Sequence, residues 1–343
     1  MDGRLRDDEV LVGGDARQRY YDSRGYGRPL DGNEVALSRV EAAHLMLRGD
    51  LDSIDGKGFR EFLRDSTGDG FAARFLVYAD LRERGFYLSP DRSGWVYDPL
   101  PGSDLVVYPR GSGPWDDEVQ YRLRVVSERE TIPAAHLGDV ALAVVDEESE
   151  ITYFETDRLD VRGTTNHDVP SDITGSLVAD RVLLWDAPDE LHRRSFYGQP
   201  IGGREPTGAL QLSLVEAAHL VADEKLAVEG GYEEIVARGR EVEGERFDRR
   251  LAVYRALRER NVVPKTGFKF GADFRTYADV ESVENLGHSE FLVRVLRDDH
   301  EFVPRDLALD VRLAHGVRKR MVFALVDDTK RTTTFLSVTR LTP

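Results

Sequence analysis

Between about Gly244 and Asn261, Phe247, Leu251, Tyr254 and Leu257 recur at helical spacing, with arginines and glutamates on the opposite face. That pattern predicts a long amphipathic helix. Beyond Asn261 it changes to strands. Gly267-Phe-Lys-Phe-Gly271 carries two aromatics at period two, and Phe291-Leu-Val-Arg-Val-Leu296 is rich in β-formers. Met321-Val-Phe-Ala-Leu-Val326 is a continuous apolar run that stops at Asp327-Asp328-Thr329, and Thr332-Thr-Thr-Phe-Leu-Ser-Val338 reads as a final strand. Pro304 to His315 between them is expected to form a short helix that returns the chain.

The pattern is written twice. Leu37-Ser-Arg-Val-Glu-Ala-Ala-His-Leu45 returns as Leu212-Ser-Leu-Val-Glu-Ala-Ala-His-Leu220, and Val77-Tyr-Ala-Asp-Leu-Arg-Glu-Arg84 as Val253-Tyr-Arg-Ala-Leu-Arg-Glu-Arg260. Tyr26-Gly-Arg-Pro-Leu30 likewise pairs with Tyr197-Gly-Gln-Pro-Ile201, and Val145-Asp-Glu with Val326-Asp-Asp, all in one order. Duplication of a unit accounts for this, with the first repeat at 1–165, the second at 171–343 and a polar join near Thr165–Pro170. Two copies are too few for a solenoid, so two similar domains are expected. Ser38 and Ser213 each precede a glutamate by three residues, which is capping-box spacing. His44 and His219 inside those helices read as packing histidines, because no second ligand stands at metal spacing. Each unit is therefore an α/β (α+β) unit with a helical N-terminal half and a mixed α/β C-terminal half. In the second repeat these halves are 171–261 and 262–343.

Composition narrows the chemistry. The 343 residues include no cysteine, which removes disulfides, thiolate zinc sites and cysteine nucleophiles. No apolar run approaches the ~18 residues of a membrane span, and the start has no secretory core, so a cytoplasmic protein without membrane attachment is expected. The net charge is −16, with six lysines among 47 basic residues, a pattern suited to a salty cytoplasm where a carboxylate surface is screened. Residues 265–343 depart from it at net +1, leaving −17 for the rest. Four of the six lysines, Lys265, Lys269, Lys319 and Lys330, lie there. This contrast points to an anion site.

Several motifs dissolve on inspection. Asp65-Ser-Thr-Gly-Asp-Gly70 imitates a calcium loop but has Leu76 where a bidentate glutamate is needed, and so reads as a turn. The Gly267–Gly271 segment follows a helix and lacks the Gly-Lys-Ser/Thr of a phosphate loop. What remains is a set in the second unit: Gly271-Ala-Asp-Phe-Arg-Thr-Tyr277, Gly287-His-Ser-Glu-Phe-Leu-Val293 and Arg312-Leu-Ala-His-Gly-Val-Arg-Lys319. With these three motifs the chain resembles the archaeal tRNA-splicing endonuclease family, in the form where one chain carries two repeats and two chains pair. The resemblance covers essentially the whole length and implies a nuclease-like fold for the mixed half. It puts the family's catalytic tyrosine, histidine and lysine on Tyr277, His288 and Lys319.

The residue types suit that chemistry. Cleaving RNA without a metal or other cofactor uses the adjacent 2′-hydroxyl as nucleophile and needs a base near it, an acid at the leaving 5′-oxygen and a cation on the phosphorane. Histidine suits the acid and lysine the cation, whereas a phenol with a reference pKa near ~10 fits proton relay or positioning of the hydroxyl. In the first unit Tyr108 aligns with Tyr277, but Glu118 stands at the place of His288 and Gly138 at that of Lys319, so this repeat is expected to be catalytically inert. The resemblance gives it a docking role, through an acidic loop at Asp146, Glu147 and Glu148, in a homodimer with two active sites. It also implies two cations gripping a bulged base, one on Arg312 and the other on Arg340, with Arg331 the alternative. The implied substrate is precursor tRNA with paired bulges, recognised by shape. A non-catalytic RNA-binding subunit and a metal-dependent nuclease are the rival readings.

Overall fold

Ser38 and Ser213 are helix N-caps, as their spacing to Glu41 and Glu216 predicts. Each serine hydroxyl accepts from the glutamate N–H at 3.3 Å, while the carboxylate accepts from the serine N–H at 2.8 Å and 3.0 Å respectively. The computed structural model describes every residue except Thr67, Asp69, Asp117, His167 and 203–208. Thr67 and Asp69 of the expected Asp65–Gly70 turn, and His167 of the expected join, lie outside the described residues. Contacts divide the chain into one unit of Met1–Asp157, Glu301–Ala308 and Thr339–Pro343, and a second of Arg158–His300 and Leu309–Val338.

In the first unit a small sheet runs in the order β3 (Arg28–Pro29), β4 (Val35–Ser38), β2 (Glu9–Val12), β1 (Asp2–Arg6), β5 (Ser53–Ile54). It accompanies α1 (Arg39–Leu47), α2 (Phe59–Asp65) and α3 (Phe71–Glu83). A second set of strands follows, β6 (Leu88–Pro90), β7 (Leu105–Val107), β8 (Tyr121–Ser127), β10 (Ala141–Val145) and β11 (Ile151–Leu159), in which β8 and β10 are parallel and the other neighbours antiparallel. The short β9 (Ile132–Pro133) lies on the crossover from β8 to β10 and pairs with β20 (Glu301–Phe302).

The second unit repeats the plan. Its small sheet runs β14 (Gln199–Pro200), β15 (Leu210–Ser213), β13 (Arg181–Leu184), β12 (Ile173–Val178), β16 (Leu226–Val228), with helices α4 (Asp189–Arg193), α5 (Leu214–Ala222), α6 (Gly231–Glu243) and α7 (Arg246–Arg258). Then come β17 (Val263–Thr266), β18 (Phe274–Tyr277), β19 (Phe291–Arg297), β21 (Arg320–Asp327) and β22 (Thr332–Leu341). The parallel pair β19 and β21 requires a crossover, which α8 (Pro304–Gly316) supplies. Near the join, Gly163, Thr164 and Thr165 bond through their amides to the carbonyls of Arg260, Ala278 and Asn261. A Cβ on Gly163 would stand 2.3 Å from the Asn261 oxygen, so only glycine permits this approach.

One strand expectation fails. Phe268–Phe270 forms a turn of 3₁₀ helix, with β17 before it and β18 after it. The flanking glycines decide this: Gly271 sits at φ +70°, and a Cβ on Gly267 would stand 2.8 Å from the Ala272 carbonyl oxygen. Period two there sends Phe268 into solvent, 85% exposed, and not onto a sheet face.

Strand register aligns the two units residue by residue. Leu123 pairs with Ala141 as Val293 pairs with Val322, Leu105 with Leu123 as Phe274 with Val293, and Ser89 with Val106 as Lys265 with Arg275. Asp104 and Asp273 correspond, and each carboxylate accepts an amide of the next strand, Val125 at 2.8 Å and Val295 at 2.9 Å. The helices carry matching buried clusters. Arg82 lies 3.9 Å over the Tyr26 ring and Arg258 4.1 Å over the Tyr197 ring, while His44 and His219 stack on the same two tyrosines. Burial drives both imidazoles down to about 4, which keeps them neutral core groups.

The clusters differ at one place. In the second unit Lys265 is buried 3.6 Å from Glu216, whereas its counterpart in the first unit is Ser89. Burial alone would push the Glu216 carboxyl up, but the Lys265 ammonium and amide bonds from Ser213 and Gly198 together hold it below its ordinary range. Burial pushes Glu41 up to about 7. Between about 4.5 and 7 folding therefore makes Glu41 take up a proton, so its contribution to stability falls as pH rises through that window. Glu216, held low, contributes above its unfolded value and loses that contribution on acidification. At pH 8, Glu216→Gln should cost about 3–5 kcal/mol because Lys265 is left buried without its counter-charge. Glu41→Gln should cost far less and gain on the parent as pH rises from 5 to 8. Urea unfolding of both variants across that range checks this, and equal losses at pH 8 would refute it.

Candidate active site

Strand β18 runs antiparallel to β19, and β19 runs parallel to β21. The C-terminal end of β18 and the N-terminal ends of β19 and β21 therefore share one sheet edge. Tyr277 is the last residue of β18, His288 lies three residues before β19, and Lys319 immediately precedes β21. Three bonds tie these ends together: Glu290 N–H to the Thr276 carbonyl, Arg320 N–H to the Glu290 carbonyl, and Lys319 Nζ to the Ser289 carbonyl, each 3.1 Å. The ammonium is thus fixed to the residue next to His288.

Each side chain has a distinct setting. The Tyr277 ring is 6% exposed and packs with Phe196, Val263 and Val280. His288 is exposed on its loop, with no hydrogen bond to another described residue. Lys319 follows a sharp reversal out of α8, with Arg318 at φ +57° and the Lys319 N–H bonded to the Ala314 carbonyl at 2.9 Å. Its ammonium lies 5.6 Å from the centre of the Phe270 ring, so the turn set aside as a phosphate loop contributes an aromatic wall. Burial, and after it the nearby Arg275 guanidinium, brings Lys319 below the usual lysine range.

Two residues here escaped the motif reading, Phe270 and Arg275. Arg275 lies two positions before Tyr277 on the same strand, hence on the same face, with its guanidinium carbon 5.8 Å from the Tyr277 ring centre. Period two in the Phe274-Arg-Thr-Tyr277 segment was the signal that could have found it. Of the four lysines that marked an anion region, Lys265 is spent on Glu216 and Lys330 pairs with Asp327 at 3.0 Å, while Lys269 is exposed.

The corresponding edge of the first unit is built differently. The Tyr108 hydroxyl donates to the buried Ser89 hydroxyl at 3.0 Å, whereas that of Tyr277 bonds to no described residue. Glu118 accepts from the Ser112 hydroxyl at 3.1 Å, and the Gly138 N–H donates to Thr156 Oγ1 at 2.8 Å. In the β10–β11 turn, Asp146 Oδ1 accepts the N–H groups of Glu148 at 2.9 Å and Glu150 at 2.8 Å, Glu147 pairs with Arg129, and Glu148 faces solvent. Arg312 is exposed on α8. Arg331 lies in the β21–β22 turn, at the other end of β21 from Lys319, and Arg340 is exposed on the part of β22 that groups with the first unit. Among the described residues no helix is long and apolar enough to cross a membrane.

Comparison with known proteins gives this geometry a class. Residues 247–334 match the family model of the "tRNA intron endonuclease, catalytic C-terminal domain", and residues 1–63 and 173–238 match that of the "tRNA intron endonuclease, N-terminal domain". The chain is 61% identical to a protein of Halobacterium salinarum named tRNA-splicing endonuclease, and 60% identical to one of the same name from Haloarcula marismortui, with all of each chain covered. A protein of that name from Methanosarcina mazei is 37% identical over 94% of both chains. The chain is therefore an endoribonuclease and belongs to the tRNA intron endonuclease family.

The electrostatics of the site can be read directly, since six lysines make a sparse set for carbon NMR of methylated side chains. Lys319 should titrate below the usual lysine range and Lys330, held by Asp327, above it. The reverse order would contradict the burial of Lys319 beside Arg275.

Proposed function

We propose that the chain removes introns from precursor tRNA, cutting at paired bulges that flank a short helix, in the cytoplasm and without a metal. The observation that carries this reading is the meeting of the Tyr277, His288 and Lys319 segments at one sheet edge, within the stretch matched by the catalytic family model. The 2′-oxygen attacks phosphorus, forming the P–O2′ bond and breaking the P–O5′ bond. Tyr277 positions the 2′-hydroxyl or relays its proton, His288 protonates the leaving 5′-oxygen, and the Lys319 ammonium offsets the charge on the phosphorane. The ends are a 2′,3′-cyclic phosphate and a 5′-hydroxyl.

On this reading the second repeat, 171–343, is catalytic and the first, 1–165, is structural. Two chains form a homodimer in which the acidic turn Asp146–Glu148 docks against the partner's catalytic repeat. Arg312 and Arg340 stack on a bulged base, a common mode of RNA recognition. Because the surface is acidic overall, binding rests on stacking and fit, and affinity should fall less steeply with salt than for a basic RNA-binder.

The test incubates purified protein in high salt with chelator and a bulge-helix-bulge RNA, then identifies the fragment ends. Two cuts with cyclic phosphates are expected. His288→Ala should slow cleavage by about 10²–10⁴-fold while leaving RNA binding intact. Tyr277→Phe should impair cleavage without loss of stability, whereas Tyr108→Phe should cost about 1 kcal/mol by stranding Ser89 and leave cleavage unchanged. Fragments ending in 3′-hydroxyls, or activity abolished by chelator, would sink the mechanism. An intact RNA that binds but is never cut would favour the non-catalytic RNA-binding reading.

A further inference from the structure

We propose that Arg275 is a further phosphate-binding residue of this site, its guanidinium taking a non-bridging oxygen of the phosphate that Lys319 faces. The inference rests on the assignment of Tyr277, His288 and Lys319 above.

Sheet geometry aims the side chain there. The ladder pairs Phe274 with Val293 and Arg275 with Leu292, and β19 pairs Leu292 with Met321. Two residues on, Tyr277 ends the strand, and at that end of the sheet the Arg320 N–H bonds to the Glu290 carbonyl and Lys319 Nζ to the Ser289 carbonyl. Arg275 lies on the Tyr277 face of β18, with its guanidinium 5.8 Å from the Tyr277 ring centre and its charge acting on the Lys319 ammonium.

What surrounds the guanidinium leaves it uncommitted. Arg246 and Arg250 are held by Asp273, and Arg258 by the carbonyls of Ser195 and Phe196. The Arg275 guanidinium, in the same unit, makes neither a hydrogen bond nor an ion pair with any described residue, and its Nε is buried without a partner. A buried donor in this condition is costly and uncommon in folded proteins. The neighbouring charges are positive as well: Lys265 stands opposite Arg275 in the β17–β18 ladder and is balanced by Glu216, which leaves Arg275 and Lys319 as the surplus pair. Two adjacent cations, one a planar fork of donors, are complementary to a phosphate.

The first unit supplies the comparison. There the register sets Val106 at the place of Arg275, Gly138 at that of Lys319, and a tyrosine whose hydroxyl is bonded to Ser89. The surplus cations and the unbonded phenol are absent together. Val106 is fully buried in its strand, so valine is compatible with this position in the fold.

The experiment compares Arg275→Val and Arg275→Lys with the parent and with Lys319→Ala and His288→Ala. It reads single-turnover cleavage of a bulge-helix-bulge RNA, affinity for the same RNA with a 2′-deoxy residue at the cut, and thermal unfolding. Arg275→Val should cleave about 100-fold more slowly, with affinity within about threefold of the parent. Arg275→Lys, which keeps a charge and loses the fork, should recover about tenfold of that loss. The proposal is overturned if Arg275→Val cleaves within twofold of the parent, or if Arg275→Lys is no better than valine. Parental cleavage by both Lys319→Ala and His288→Ala would instead remove the underlying site assignment, whatever Arg275 does.

Discussion

A carboxylate four residues before the tyrosine, buried in the second unit and half-buried in the first, holds each of these units in register. In the second unit Asp273 accepts from Arg246 at 2.6 Å, lies 3.1 Å from the Arg250 guanidinium and accepts the Val295 N–H at 2.9 Å. One side chain thus binds α7 to the start of β18 and β18 to its neighbour. A slip of β18 by one residue would reverse the faces of Arg275 and Tyr277, and the carboxylate that opposes it is almost wholly withdrawn from water. Asp104 performs the same service with Arg74 at 3.2 Å and the Val125 N–H. The position of the phenol therefore depends on an ion pair outside the chemistry.

Much of this arrangement was legible in the residues because its signals are local. A capping box spans four residues, the stripe of Phe247, Leu251, Tyr254 and Leu257 spans one helix, and the apolar run before Asp327 is a strand on any reading. The small sheets beside the helices were not legible, since strands such as Arg28–Pro29 or Leu226–Val228 are too short to show a period. Nor was the fate of Lys265, whose partner lies 49 residues earlier at Glu216 and meets it only after folding. Gly267–Gly271 misled because alternation was read without the glycines that bend it.

The candidate site divides in the same way. Tyr277, His288 and Lys319 come from motifs, and strand order supplies the reason such distant segments belong together. Arg275 hid within one of those motifs because an arginine on a strand reads as a solvated face. Register against the first unit is what separates it from the other arginines, by setting it against a valine.

The bond between Tyr108 and Ser89 bears on how a duplicated chain distributes frustration. At this edge of the first unit the phenol has a partner, the adjacent strand position is aliphatic and a glycine amide is satisfied by a threonine, so the local preferences there agree with the fold. At the equivalent edge of the second unit a guanidinium lacks a partner, an ammonium is partly stripped of water and Arg318 sits in the left-handed region. The two copies share one architecture and diverge in how far that edge is at rest. At this edge one copy satisfies its own groups and the other leaves a guanidinium unanswered, so the two differ in what the edge has left to bind.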